Sequence, residues 1–181
     1  MPPCQHANID SQELAKKIDE RFFKVVLPTK LKIAISGCPN ACAKPQINDI
    51  GIMGVVKPRI ISEKCDACGI CVRICKEAAI KIVNDVAEID FIKCVYCGAC
   101  IRGCPTGASA ADLEGHTIFV GGNVGRHPRM AYKLLDFADD ETIFHVIDNS
   151  IKLFEEEGLR KERFGHLIER RGLGESLTRL L

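Results

Sequence analysis

The chain has 181 residues, of which 46% are apolar and 27% charged, and 25 Lys and Arg against 24 Asp and Glu leave a net charge of +1. This composition excludes a disordered chain and gives no clustered basic excess for a nucleic-acid surface. No apolar run approaches the roughly 18 residues that cross a bilayer, and no signal-peptide core follows Met1, so no membrane span and a cytoplasmic location are expected.

Eleven cysteines and no tryptophan set the problem. An odd count in a chain expected to stay in the reducing cytosol does not suit a disulfide framework. The cysteines are also uneven: Cys4, Cys38 and Cys42 lie early, eight fall between residues 65 and 104, and none follows. Metal or cluster chemistry is the first hypothesis.

Residues 10–23 predict an amphipathic helix, with Asp10 as cap, Glu13 completing a capping box, and Leu14, Ile18 and Phe22 on one face. Residues 30–36 alternate as a half-buried strand that runs into Gly37-Cys38-Pro39-Asn40-Ala41-Cys42. Taken alone, this C-x3-C turn is either a redox thiol pair or two buried cysteines. Residues 48–56 predict another strand, interrupted by Gly51 and Gly54, and Lys57-Pro58 marks a boundary.

Residues 62–111 differ in texture, with cysteine-rich turns flanking a hairpin expected at Asn84-Asp85. Cys65, Cys68, Cys71 and Cys75 recur as Cys94, Cys97, Cys100 and Cys104, each displaced by 29 residues. Each half is C-x2-C-x2-C-x3-C. Three thiolates within seven residues can hold three corners of an iron–sulfur cube, while the fourth points away to the other cube. Cys65, Cys68, Cys71 and Cys104 are therefore assigned to one [4Fe-4S] cluster, and Cys75, Cys94, Cys97 and Cys100 to the other. Zinc also uses C-x2-C pairs, but in two separated knuckles rather than doubled four-cysteine runs. Gly69 and Gly98, equivalent in the two loops, are expected to let backbone N–H groups approach the sulfurs. Two such clusters would add negative charge, and a redox donor protein is expected to be steered by a basic patch of its own.

Beyond residue 116 the texture is globular. A strand is expected over His116–Val120, a helix from Pro128 carrying Met130, Leu134 and Phe137, and a longer helix from Glu141 to Glu157 stopped by Gly158. A short helix with Phe164, Leu167 and Ile168 inward follows. The five histidines show no ligand spacing.

The eight-cysteine stretch resembles a bacterial two-cluster ferredoxin, with Lys76 where a proline often follows the fourth cysteine. The rest resembles the sirohaem-dependent sulfite and nitrite reductase family. Cys4-x-x-Ala7-x-x-Asp10-Ser11, Ser36-Gly37-Cys38-Pro39-Asn40-x-Cys42, Asn48-Asp49-Ile50-Gly51-Ile52-x-Gly54, Gly121-Gly122-x-x-Gly125-Arg126-x-Pro128, Glu162-Arg163-Phe164-Gly165 and Glu169-Arg170-x-Gly172 are similar to that family's segments. An inserted ferredoxin resembles the arrangement in dissimilatory and anaerobic sulfite reductases. The resemblance implies an α+β sheet-and-helix domain, 1–61 and 112–181, interrupted by the insert, and an oxidoreductase that reduces a small oxyanion, sulfite before nitrite. It further implies a third [4Fe-4S] cluster and sirohaem. By position Cys4, Cys38 and Cys42 match three of the four ligands of that cluster, with Cys42 as the bridge to the sirohaem iron. Lys30, Lys32, Asn40, Lys44, Arg126 and Arg129 are the candidate partners for sirohaem carboxylates.

The family's first cluster cysteine would fall six residues before Cys4, where the chain has not begun, and its N-terminal half is absent. A fragment, a split subunit working with other reductase subunits, and a degenerate relative all fit this pattern. So does a stand-alone electron carrier with a vestigial third site.

Overall fold

The computed structural model describes residues 4–181; the first three residues of the predicted 1–61 segment lie outside it. The first helix, α1 (Ser11–Phe22), forms as its cap predicts: Asp10 Oδ1 accepts from the N–H groups of Gln12 and Glu13 at 3.1 and 3.0 Å. Strand β1 (Ile33–Ser36) runs parallel to β2 (Ile50–Ile60), which pairs antiparallel with β5 (Ser109–Val120), and β5 with β6 (Tyr132–Ala138). The sheet order is β1-β2-β5-β6.

Alternation along β2 and β5 separates two apolar surfaces. Ile50, Ile52, Ile118 and Val120 join α1 and the C-terminal helices in the main core. Met53, Val55 and Phe119 face the other way, against Ala41, Tyr96, Ala131 and Phe137. The two glycines of β2 are explained by what lies on each side of it. A Cβ at Gly51 would stand 2.2 Å from the Pro45 carbonyl oxygen, and one at Gly54 would stand 2.6 Å from that of Gly37. The segment following Cys38 therefore lies directly on the sheet, and no larger residue would allow it.

Strands β2 and β5 are longer than the expected 48–56 and 116–120, because their ladder continues past Lys57-Pro58 to Ile60 and Ser109. Pro58 does not end the strand. It sits at a register shift, where a missing N–H is tolerated. This extended ladder carries the cysteine-rich unit, composed of α2 (Ile70–Ile74), α3 (Ala99–Gly103) and the hairpin β3 (Ile80–Val83) and β4 (Val86–Ile89). Asn84 and Asp85 turn that hairpin with φ of 48° and 60°, as an Asn-Asp pair in a tight turn requires.

The helix expected from Pro128 is a strand. Asn123 and Arg129 exchange backbone hydrogen bonds of 3.1 and 2.8 Å across a tight turn, which directs the following residues along the free edge of β5. Pairing at that edge overrides the local helical spacing of Met130, Leu134 and Phe137. The long helix forms as α4 (Asp140–Glu157), capped by Asp139. It is followed by the expected α5 (Phe164–Arg171) and by a further helix, α6 (Leu173–Leu180). Phe154 and Phe164, both fully buried, pack edge to face at 5.6 Å. Among the described residues no helix is long and apolar enough to cross a membrane.

Candidate functional site

The 29-residue repeat is also a backbone repeat. Ala67 and Tyr96, Gly69 and Gly98, and Ala78 and Gly107 all hold positive φ, between 48° and 71°. Gly69 and Gly98 start α2 and α3 in the left-handed region. At Gly69 nothing lies within 4 Å of a built Cβ, so the glycine is favoured there by φ rather than by close approach.

Folding this repeat brings the cysteines into two groups. Cys65, Cys68, Cys71 and Cys104 line one narrow cavity. Cys75, Cys94, Cys97 and Cys100 line a second, of about 310 Å³, which continues to His6, Cys38 and Asn40. Among the described residues no three His, Cys, Asp or Glu side chains converge closely enough to hold a single metal ion. The thiols stand around the cavities instead.

Backbone donors face the sulfurs. The N–H of Ala79 reaches Cys75 Sγ, and that of Ser109 reaches Cys104 Sγ, both at 3.4 Å. Burial pushes the thiols of Cys71, Cys94 and Cys100 above their ordinary range. At Cys104 burial also acts upward, but the Ser109 N–H and the Thr106 hydroxyl outweigh it and hold the thiol low. A buried thiol group that must ionise needs compensating positive charge, which iron bound there would supply.

The second group is tied to the main sheet. Val56 N–H donates to the Tyr96 carbonyl at 2.9 Å, and Val56 forms a bridge with Cys97. Tyr96 packs edge-on against Phe137 at 5.0 Å. Arg102 donates to Asn8 Oδ1 and to the Cys97 carbonyl, each at 2.9 Å, and Asn8 in turn donates to the Gly54 carbonyl at 3.2 Å. Sequence reasoning missed Asn8, Tyr96 and Arg102. The only signal was the repeat pair Arg73 and Arg102, which does not reveal that one of them finds a partner 94 residues away.

The loop after β1 is well defined. Ser36 Oγ accepts from Ala43 N–H at 3.1 Å, and Ala41 and Lys44 are left-handed, both at φ 53°. Cys38 is buried; Cys42 and Cys4 are exposed. The turn opened by Cys4 docks beside Cys38, since Asn8 N–H donates to the Gly37 carbonyl at 2.7 Å, and a Cβ at Gly37 would come within 2.9 Å of Ala7 Cβ.

The predicted sirohaem partners are scattered. Asn40 lines the second cavity with Cys38, and Lys44 follows Cys42 by two residues. Lys30 and Lys32 precede β1, at the end away from Cys38, where Ile50 N–H donates to the Lys32 carbonyl at 3.0 Å. Arg126 is exposed in the turn before β6. Arg129 donates to the Gly165 carbonyl at 2.7 Å and to Glu169 at 2.6 Å, so its guanidinium is engaged within the chain.

The nitrite and sulphite reductase 4Fe-4S domain matches residues 2–180. The chain is 40% identical over 176 residues to the coenzyme F420-dependent sulfite reductase of Methanocaldococcus jannaschii, covering 96% of this chain and 28% of that protein. It is 36% identical over 178 residues to a subunit of the anaerobic sulfite reductase of Salmonella typhimurium, covering 93% of this chain and 52% of the relative. The chain thus spans about half or less of the length of these relatives. The crystal structure of dissimilatory sulfite reductase I superposes with a TM-score of 0.75 at 24% identity, over 98% of this chain and 49% of that one, which establishes the shared α+β fold. The cysteine pattern, the fold and the match along almost its entire length lead to one conclusion: the chain belongs to the nitrite and sulphite reductase 4Fe-4S domain family.

Proposed function

We propose that the chain is the cluster- and sirohaem-binding part of a cytoplasmic sulfite reductase, with residues 62–111 as a two-cluster ferredoxin insert between reductase segments 1–61 and 112–181. The observation that carries this reading is the continuity of the second thiol-lined cavity with Cys38 and Asn40. Through that cavity the inner group of cysteines adjoins the loop that bears the candidate sirohaem-side ligands.

The donor sets fit two [4Fe-4S] clusters, since four thiols line each cavity and a backbone N–H is aimed at one sulfur of each set. On this assignment Cys65, Cys68, Cys71 and Cys104 hold the outer cluster, and Cys75, Cys94, Cys97 and Cys100 the inner one. Cys38, Cys42 and Cys4 would supply three ligands of the third, with Cys42 the candidate to be shared with sirohaem. The groups together would supply one-electron relay and, at the sirohaem, reduction of sulfite in preference to nitrite.

The chain's own contribution is positioning. The ladder of β2 and β5 holds the insert, Arg102 and Val56 fasten its inner loop, and the segment after Cys38 is pressed on the sheet at Gly51. Asn40, on the second cavity, and Lys44, two residues after Cys42, are the candidates placed beside that loop for sirohaem carboxylates. Arg126 is exposed in the turn before β6, whereas Lys30 and Lys32 lie at the end of β1 away from Cys38 and Arg129 is engaged with Gly165 and Glu169. These relatives extend well beyond the matched region, which supports further parts of a reductase, such as other subunits, completing the pocket.

The test is an anaerobic preparation assayed for iron, acid-labile sulfide and sirohaem. About twelve irons per chain with sirohaem absorption bands support the reductase part; about eight irons without sirohaem, alone or with the partner subunits, identify a stand-alone electron carrier instead. Among the described residues, three cysteines remain for the third site once the other eight are assigned, which favours that second reading. Zinc in place of iron would overturn both.

A further inference from the structure

Gly69 and Gly98 hold equivalent places in the repeat and share a backbone conformation, yet their surroundings differ. A Cβ built at Gly69 meets nothing within 4 Å, whereas one at Gly98 would stand 2.9 Å from Arg102 Nη1 and 3.0 Å from Asn8 Oδ1. The Arg102 guanidinium thus lies against the inner cysteine loop. Two hydrogen bonds fix it there, to Asn8 Oδ1 and to the Cys97 carbonyl, each at 2.9 Å. Arg73, at the matching position of the first half, is exposed, and none of its atoms comes within 4 Å of the Cβ position of Gly69. The charges that line the two cavities differ in the same sense. Among the described residues, Asp66 is the one charged side chain around the outer cavity, and its Oδ1 accepts from Cys68 N–H at 3.2 Å. Around the inner cavity the charges of Lys76 and Glu77 offset each other, leaving Arg102 and His6.

We propose that Arg102, besides fastening the loop, is the residue whose fixed positive charge raises the potential of the inner cluster. This role presupposes the two-cluster reading above. A guanidinium carries a permanent charge, and one clamped at two points keeps that charge at a set distance from the ligand loop, as a free surface side chain does not. An added electron makes a cluster more negative, so a nearby cation stabilises the reduced form over the oxidised one and moves the potential up. Arg102 is exposed, and solvent and salt weaken its field without changing the sign. No cationic side chain lines the outer cavity among the described residues. There the Asp66 carboxylate acts downward, while the Thr106 hydroxyl, 3.6 Å from Cys104 Sγ, acts upward. The effect of Arg102 is therefore read on the inner wave itself, not on the gap between the two waves. Since the inner cavity is the one that continues to Cys38, a raised inner potential favours an electron resting beside the loop of the candidate sirohaem-side ligands.

The experiment is an anaerobic redox titration of the iron-loaded full chain followed by electron paramagnetic resonance, with Cys94→Ser to identify the inner wave. Two variants change the charge at this point: Arg102→Gln removes the cation, and Asn8→Asp sets a carboxylate against it. Two others keep it: Arg102→Lys retains the charge without the fork, and Asn8→Ala removes only the anchor. Loss of cluster absorption to a chelator measures how far each variant loosens the loop. The inner wave is expected to move down in Arg102→Gln and Asn8→Asp and to hold its place in Arg102→Lys and Asn8→Ala, whatever their bleaching rates. The outer wave should stay in place in all four. Either charge-changing variant suffices where the other fails to load. An inner wave unmoved in a loaded Arg102→Gln or Asn8→Asp, or lowered as much in the charge-conserving pair, overturns the electrostatic role of Arg102 and leaves the two-cluster reading standing. A chain that binds no pair of clusters overturns both.

Discussion

Arg102 and Asn8 are 94 residues apart in the chain, and a 2.9 Å hydrogen bond joins them. The same guanidinium holds the Cys97 carbonyl, so one side chain ties the inner cysteine loop to the turn that begins at Cys4. Arg73, its counterpart in the first half of the repeat, is exposed on α2.

Arg102→Ala should therefore loosen the inner loop, whereas Arg73→Ala should not. In an iron-loaded chain challenged with a chelator, the first variant is expected to lose cluster absorption several-fold faster than wild type. Equal bleaching rates for the two variants would show that the Arg102 contact does not hold the loop.

The proposed crossing of the cysteine sets makes a sharp prediction. Cys104→Ser should disturb the cluster held by Cys65, Cys68 and Cys71, although Cys104 belongs to the other half of the sequence. Cys75→Ser should disturb the one held by Cys94, Cys97 and Cys100. Redox titration of each variant separates the two cases, and an effect of Cys104→Ser confined to the inner cluster would refute the crossing.

Asp49 is fully buried and paired with Arg163, with a further 2.8 Å bond from the Lys32 N–H. Burial raises its carboxyl above the ordinary 3.8, against the opposing pull of these partners. Arg163→Met removes the counter-charge and leaves a buried acid, which should cost about 3–5 kcal/mol in denaturant unfolding. Adding Asp49→Asn to that variant should recover part of the loss, because the uncompensated charge is gone.

Glu157 shows the opposite shift. Hydrogen bonds from Arg171 and Arg179 hold its carboxyl below the ordinary 4.5, and Arg170 does the same for Glu162. A depressed carboxyl contributes stability that is fully present above about pH 4.5 and is lost as pH falls through the lower folded value. The packing of α5 and α6 against the end of α4 should weaken over that acidic interval, and Glu157→Gln should flatten the dependence. Thermal melts from pH 6 to pH 3 would test it, and an unchanged slope in the variant would count against these ion pairs.

Much of this was legible in the order of the residues because the signals are local. Four cysteines at fixed spacing define their own loop, an Asp before an amphipathic run caps its helix, and Asn84-Asp85 suits the only turn that joins two adjacent strands so tightly. The helix expected from Pro128 failed for the converse reason. Its local spacing was compatible with a helix, but a turn closed by Asn123 and Arg129 delivered the segment to the unpaired edge of β5. Pro58 misled in the same way, since a bulge in a long ladder absorbs the missing N–H.

Residue spacing alone thus determined the repeated thiol loops, most of the helices and the kinship of the chain, because those depend on neighbours within a turn or two. Only the tertiary structure decided that the inner loop rests on Asn8 and Val56, that the second cavity opens toward Cys38, and that the Ser109 N–H meets Cys104 Sγ. Such contacts join residues distant in sequence, and packing of the whole sheet sets them rather than any local preference of the chain.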